Sequence, residues 1–164
     1  MRVLGIDCGT RFTGYGVVGS DTSGHLHMLD CGAIRLRKQD PMSQRLCTIF
    51  SELTTLIERH APDVVAIEEV FHAANSRTAL LLGQARGVAL LAAAMQNVAI
   101  AEYAPLAVKS AVSGYGLADK EQVRFMVMRL LHLDTPPEPL DASDALAIAI
   151  CHTHHAQTAA AQRR

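Results

Sequence analysis

At 164 residues the chain is near the modal size of one domain and too short for two ordinary ones. Hydrophobic residues make up 49% and charged residues 19%, with 11 glycines and 6 prolines, which excludes a disordered, collagenous or low-complexity chain. The 15 Lys and Arg stand against 16 Asp and Glu, a net charge of −1, so a nucleic-acid partner must be argued from local features.

Taken in chain order, Val3 to Asp7 reads as a short buried strand, Gly9 and Gly14 punctuate a turn, and Tyr15 to Val18 begins a second strand. A third strand is expected from His25 to about Leu36. Tight connections make these three an antiparallel meander, because a parallel crossover needs about a dozen residues. From Pro41 to His60, Met42, Leu46, Ile49, Leu53, Leu56 and Ile57 follow helical spacing. Val64 to Phe71 is apolar at both parities until Glu68 and Glu69, the pattern of a central strand covered on both faces.

A long helix is predicted from Ser76 to Gln96 and a short strand from Val98 to Glu102. Further helices are predicted over Pro105–Ser113, Asp119–His132 and Asp141–His155, with a frayed tail after them. One domain over residues 1–157 and a frayed segment over 158–164 is the expected organisation. The order gives an α/β fold with a mixed sheet and helices on both faces. Ala79 to Ala101 is the most apolar stretch, but Gln84, Arg86, Gln96 and Asn97 interrupt it and argue against a membrane span. Cys8, Cys31, Cys47 and Cys151 show no C-x-x-C spacing, and an acid at position 7 is incompatible with a secretory leader. Together these predict a cytoplasmic protein with reduced thiols.

Four carboxylates occupy positions that structure alone would fill otherwise. Asp7 ends an apolar strand, where an unpaired carboxylate costs several kcal/mol or more to bury. An Asx-turn into Cys8-Gly9-Thr10 accounts for it equally well. Glu68 and Glu69 interrupt the central strand, and neighbours on a strand face opposite ways, so at most one lines a given site. Glu68 lies at the carboxyl end of that strand, where open α/β sheets place ligands. Asp141 and Asp144 share one face of a helix's first turn. Capping and the helix dipole explain one of them, whereas two like charges on a face that continues into the core need a cation between them.

Carboxylate oxygens suit hard cations such as Mg²⁺ or Mn²⁺, and two such ions can promote phosphoryl displacement. Neutralising four acids moves the net charge from −1 to +3, which fits a polyanionic substrate. The histidines at 152, 154 and 155 read as a solvated helix end rather than a metal site.

Contacts to a nucleic acid have a thinner basis. Lys109, Lys120, Arg124 and Arg129 outnumber the acids Asp119 and Glu121, and the turn Ser113–Gly116 can offer N–H groups to a phosphate. A solvated surface explains these cations nearly as well. Phe71 is either core or a stacking platform for an unpaired base. Arg77, close to it in sequence, is a candidate phosphate contact. The helix over 76–96 is apolar nearly all round and must be buried on two sides, the second side being another subunit or this subunit's own flanking helices.

Four blocks in register, Gly5–Gly16, Ala66–Phe71, Leu82–Gly87 and Asp141–Ala149, together resemble the RuvC crossover-junction endonucleases of bacteria, from residue 2 to about 155. The resemblance implies a ribonuclease-H-like fold with a five-stranded sheet and a homodimer that resolves four-way (Holliday) DNA junctions in recombination and repair. It implies paired symmetric nicks that leave 5′-phosphate and 3′-hydroxyl ends. It also implies Mg²⁺, with Mn²⁺ able to substitute, two ions per site, and the branch-migration proteins RuvA and RuvB as partners.

By position, the family's acidic quartet falls on Asp7, Glu68, Asp141 and Asp144, its DNA-contacting lysines on Lys109 and Lys120, and its stacking aromatic on Phe71. Some relatives carry His at the place of Asp141. Most carry Pro where Cys8 stands, which here adds an oxidisable thiol beside the site. Two other readings are a single-domain relative of the actin and sugar-kinase ATP-binding superfamily, suggested by Ile6–Thr10, and a junction-binding module without catalysis.

Overall fold

A computed structural model describes residues 1–69 and 75–162. Its elements are β1 (Arg2–Cys8), β2 (Phe12–Ser20), β3 (Leu26–Arg35), α1 (Met42–His60), β4 (Val64–Glu68), α2 (Ser76–Met95), β5 (Ala99–Tyr103), α3 (Pro105–Ser113), α4 (Lys120–Leu130) and α5 (Leu140–Gln162). The sheet order is β3-β2-β1-β4-β5. β1, β2 and β3 form the expected antiparallel meander, and β4 and β5 run parallel to β1.

Side-chain alternation divides the core in two. Leu4, Ile6, Val17, Val65 and Ile67 pack with α1 and α2 on one face, in contact with Ile49, Leu53 and Ala89. Val3, Val18 and Ala66 face the other way, onto Leu146, Ile150 and the helices α3 and α4. Asp7 has the parity of Val3, and Glu68 that of Ala66, so both belong to the α5 face. Because Ile6 is paired in parallel with Ile67, the next residues, Asp7 and Glu68, sit side by side at the carboxyl ends of adjacent strands.

Two glycines decide how closely α5 lies on the sheet. A Cβ at Gly5 would stand 2.1 Å from the Ala145 carbonyl oxygen, and one at Gly14 would stand 2.1 Å from that of Asp141. Gly14 is also the cross-strand partner of Asp7. The first turn of α5 is thereby laid over the end of β1, which brings a helix 134 residues downstream onto the strand that carries Asp7.

The frayed tail is a correction. α5 continues two turns past His155 to Gln162, since Ala156–Ala161 is rich in the strongest helix former. The Gln157 side chain also donates to the Gly24 carbonyl at 3.1 Å, tying that turn to the β2–β3 connection. Of the nearby histidines only His155 is exposed, while His152 and His154 are half-buried. His152 Nδ1 is 2.8 Å from the Tyr103 hydroxyl, His154 Nδ1 is 3.0 Å from the Ala111 carbonyl, and the His155 ring lies 5.2 Å from that of Tyr103.

The helix expected to need burial on two sides, α2, is covered by its own subunit on one of them. Ala85, Ala89, Ala92 and Ala93 of α2 are buried, whereas Leu80, Leu91 and Met95 are 70%, 51% and 63% exposed. Small alanines let α2 settle against α1 and the sheet, and the larger apolar residues fall on the outer stripe. β4 ends at Glu68, and Phe71 lies outside the described residues.

Candidate active site

Asp7, Glu68 and Asp144 line one cavity of about 200 Å³, together with Lys109 of α3, Lys120 of α4 and the apolar walls Val108, Val123 and Ala147. Three carboxylates from β1, β4 and α5 thus meet two ammonium groups over the carboxyl ends of the parallel strands. Asp141, one helical turn before Asp144, is pressed against β2 at Gly14 and is close enough to act electrostatically on both Asp7 and Lys120.

Burial and mutual repulsion dominate the electrostatics. Asp7 is pushed up from 3.8 to about 7, first by burial and then by the charges of Asp144, Glu68 and Asp141, with Lys120 pulling the other way. Glu68 is also raised, by burial and then Asp144, while Lys120 and Lys109 oppose the shift. Lys120 Nζ donates to Asp144 Oδ2 at 2.7 Å, and that bond is the main reason the ammonium holds its proton more tightly than usual. Lys120 occupies the first turn of α4, the end of a helix whose dipole disfavours a cation, so the carboxylates across the cavity are what hold it there. The α4 N-terminus itself is fixed by a reciprocal cap between Asp119 and Gln122.

Among the described residues no three His, Cys, Asp or Glu side chains converge closely enough to hold an ion as they stand. The donor chemistry nevertheless fits a hard divalent cation, because hard oxygens surround a point where the carboxylates raise one another's proton affinity. Repulsion keeps such acids apart until a cation is placed between them, and Asp144 is meanwhile drawn to Lys120.

Three sequence expectations fare differently. Arg77 is exposed in the first turn of α2 and is not among the side chains lining the cavity. Glu69 is directed away from the acid face by strand alternation, and its N–H donates to the Tyr103 carbonyl at 2.9 Å. Cys8, partly buried at the end of β1, is disfavoured as a thiolate. Burial and the neighbouring Asp7 push it up to about 12, and only the thiolate is reactive.

Arg86 was not singled out as a site residue, yet it braces the site from behind. Its Nε donates to the Glu68 carbonyl at 3.3 Å, and its guanidinium pairs with Glu102 of β5. A charged residue on the inner side of an otherwise apolar helix was the signal for it.

The family model for crossover junction endodeoxyribonuclease RuvC matches residues 3–152. A crossover junction endodeoxyribonuclease RuvC of Koribacter versatilis (strain Ellin345) is 56% identical over 158 residues, covering 96% of this chain and 95% of that protein. Among solved structures, that of Thermus thermophilus RuvC superposes with a TM-score of 0.89 at 34% identity, covering 97% of each chain. The T. thermophilus RuvC solved in complex with Holliday junction substrate gives 0.88 at 32% identity, covering 96% of each. The expected ribonuclease-H-like arrangement is the observed one.

Proposed function

This chain belongs to the RuvC family of crossover junction endodeoxyribonucleases, metal-dependent nucleases that resolve Holliday junctions, and from that premise we propose that Asp7, Glu68, Asp141 and Asp144 form its catalytic centre. The observation that carries the assignment is the gathering of Asp7, Glu68 and Asp144 around one cavity, with Asp141 a turn away, from segments that are distant in sequence.

The four acids would hold Mg²⁺, or Mn²⁺ in its place, with two ions per site. Bound there, the cations supply Lewis-acid charge to a phosphodiester under attack. The chain's own groups do the rest. Asp7, its proton affinity raised by burial and by the charges of Asp144, Glu68 and Asp141, would be the central ligand of the set. Glu68 would hold from the adjacent strand, and Asp141 and Asp144 would complete the set and orient the attacking water from α5. Lys109 and Lys120, on the opposite wall, meet the phosphates that flank the cut. A water attacking phosphorus in line, with the 3′ oxygen leaving, yields a 5′-phosphate and a 3′-hydroxyl.

A homodimer through the helix at 76–96 would place two such sites on a two-fold substrate. The open stripe of Leu80, Leu91 and Met95 supports it, and at Gly83 and Gly87 a Cβ would meet nothing within 4 Å. Phe71 as a base-stacking residue, Arg77 as a phosphate contact, and RuvA and RuvB as partners complete the reading, as does action in the cytoplasm on bacterial DNA.

A synthetic four-way junction, incubated with and without Mg²⁺ and mapped on all strands, tests the proposal. Paired cuts at symmetry-related positions that need the ion and vanish in Asp7→Asn, with binding retained, are expected. Cutting that survives Asp7→Asn at the normal rate removes Asp7 from the chemistry.

A further inference from the structure

The acid cavity is not the largest concavity of the molecule. A cleft of about 850 Å³ lies between the β1–β2 turn, the exit of β3 and the first turns of α1, and five of its lining residues are cationic: Arg11, Arg35, Arg37, Lys38 and Arg45. No Asp or Glu lines it, and among the described residues none of the five pairs with a carboxylate. In a chain of net charge −1, a third of the 15 basic residues are gathered here.

Folding does not require this crowding. Four of the five are exposed, and only Arg45 has a structural task, its Nε donating to the Asp40 carbonyl at 3.1 Å and its Nη2 to that of Lys38. The loop at 37–40 is thereby held in shape while the charges stay unneutralised. Like charges packed together cost self-repulsion unless an anion is drawn in.

The sheet register relates this cleft to the acids. Asp7 pairs with Gly14, Gly14 pairs with Ala33, and Arg35 follows Ala33 by two residues, so Arg35 belongs to the same face of the sheet as Asp7. Two strand spacings across and two residues along put their backbones roughly 12 Å apart. At about 3.4 Å of rise per nucleotide, that is some three to four nucleotides from the acids. The β1–β2 turn, which begins two residues after Asp7, supplies Thr10 and Arg11 to the cleft, and the Leu36 N–H donates to the Arg11 carbonyl at 2.9 Å, fixing Arg11 beside the β3 exit.

We infer that this cleft is a second phosphate-binding track, which grips the backbone of the cleaved strand three to four nucleotides away from the scissile bond. A mononucleotide or free phosphate fits less well, because the cations are strung along two loops, a strand end and a helix rather than converging on a point. The inference rests on the junction-nuclease reading and specifies where the substrate strand runs.

The experiment measures junction affinity by fluorescence anisotropy in Ca²⁺ across a range of salt, for the full chain and for Arg35→Ala/Arg37→Ala/Lys38→Ala. Losing three phosphate contacts should flatten the slope of log Kd against log salt by about two to three and weaken binding at least tenfold near 0.1 M salt. Neutral methylphosphonates placed three and four nucleotides from the cut should weaken the unmodified protein and leave the variant nearly unaffected. The loop-only pair Arg37→Gln/Lys38→Gln, which touches no strand, repeats the measurement if the triple variant fails to give the parent's circular dichroism spectrum. An unchanged slope in a folded variant, or methylphosphonate sensitivity equal in both proteins, overturns the track. ATP displacing the junction from the parent protein and not from the variant would make the cleft a mononucleotide site, which overturns it too. Should the parent protein bind four-way and linear DNA alike, the junction reading itself fails, an outcome distinct from any of these.

Discussion

Lys120 Nζ lies 2.7 Å from Asp144 Oδ2, so a side chain suited to hold a phosphate is bonded to one suited to hold a metal. An ammonium so placed neutralises the acids in the ion's absence and must let go when a divalent cation arrives. Partly exposed pairs of this kind are worth about 1 kcal/mol at most, which corresponds to roughly fivefold in an equilibrium constant. Lys120→Met should therefore tighten Mn²⁺ binding in the absence of DNA by up to about fivefold, read from Mn²⁺-dependent thermal shifts. The same variant should bind the junction more weakly, with a salt slope lower by about one. Mn²⁺ affinity that is unchanged or reduced would show that the pair does not compete with the ion.

Asp7 carries a pH signature. An unfolded aspartate gives up its proton near 3.8, whereas in the fold the proton is held until about pH 7. Between those values the folded state binds a proton that the unfolded chain does not, so stability falls as pH rises through the window and is lowest, for this group, above pH 7. Asp7→Asn removes the penalty. At pH 8 without divalent ions its Tm should exceed that of the unmodified protein by several degrees, and the gap should close towards pH 4. Millimolar Mn²⁺ at pH 8 should raise the unmodified protein alone. A melting curve in which the variant is no more stable at pH 8 than at pH 4, relative to its parent, would contradict the burial-driven shift.

The close seat of α5 gives a third expectation. A methyl group at Gly14 would collide with the backbone of Asp141 at 2.1 Å, and backbone cannot swing away as a side chain can. Gly14→Ala should cost about 1–3 kcal/mol in urea unfolding, the usual penalty for overpacking. It should also reduce junction cutting by more than the loss of folded protein explains, because the first turn of α5 is displaced from above Asp7. Cutting restored fully by working well below the unfolding transition would mean that the turn has room to adjust.

The acids were legible in the sequence because carboxylates at the ends of buried strands and on a core-facing helix turn are costly, and cost of that kind points to chemistry. The meander and the two parallel strands followed from connection lengths, whereas Gly14, expected to punctuate a turn, lies inside β2 beneath the first turn of α5. What was hidden depended on tertiary placement. The Lys120–Asp144 pair joins residues 24 apart that only the docking of α4 on α5 brings together. The basic cleft draws on residues 11 to 45, and no window of sequence shows that β2–β3 register sets Arg35 opposite Phe12 beside Arg11. The last two turns of α5 were missed because an alanine-rich chain end reads equally as helix or as fray until Gly24 supplies the Gln157 side chain with a partner.

The outer stripe of α2 supplies the last prediction. Its buried alanines already satisfy the subunit's own core, so the apolar side chains left outside do nothing for the isolated fold. Leu91 lies mid-stripe and is 51% exposed, whereas Val88 packs partly against the core, which makes Leu91 the cleaner position to charge. Leu91→Asp should leave the folded subunit's stability within about 0.5 kcal/mol, as surface substitutions do. In sedimentation the unmodified chain should run as a dimer and the variant as a monomer. On a four-way junction it should give single, uncoupled nicks instead of paired ones, since two sites no longer arrive together. An intact Leu91→Asp dimer would move the interface to another surface.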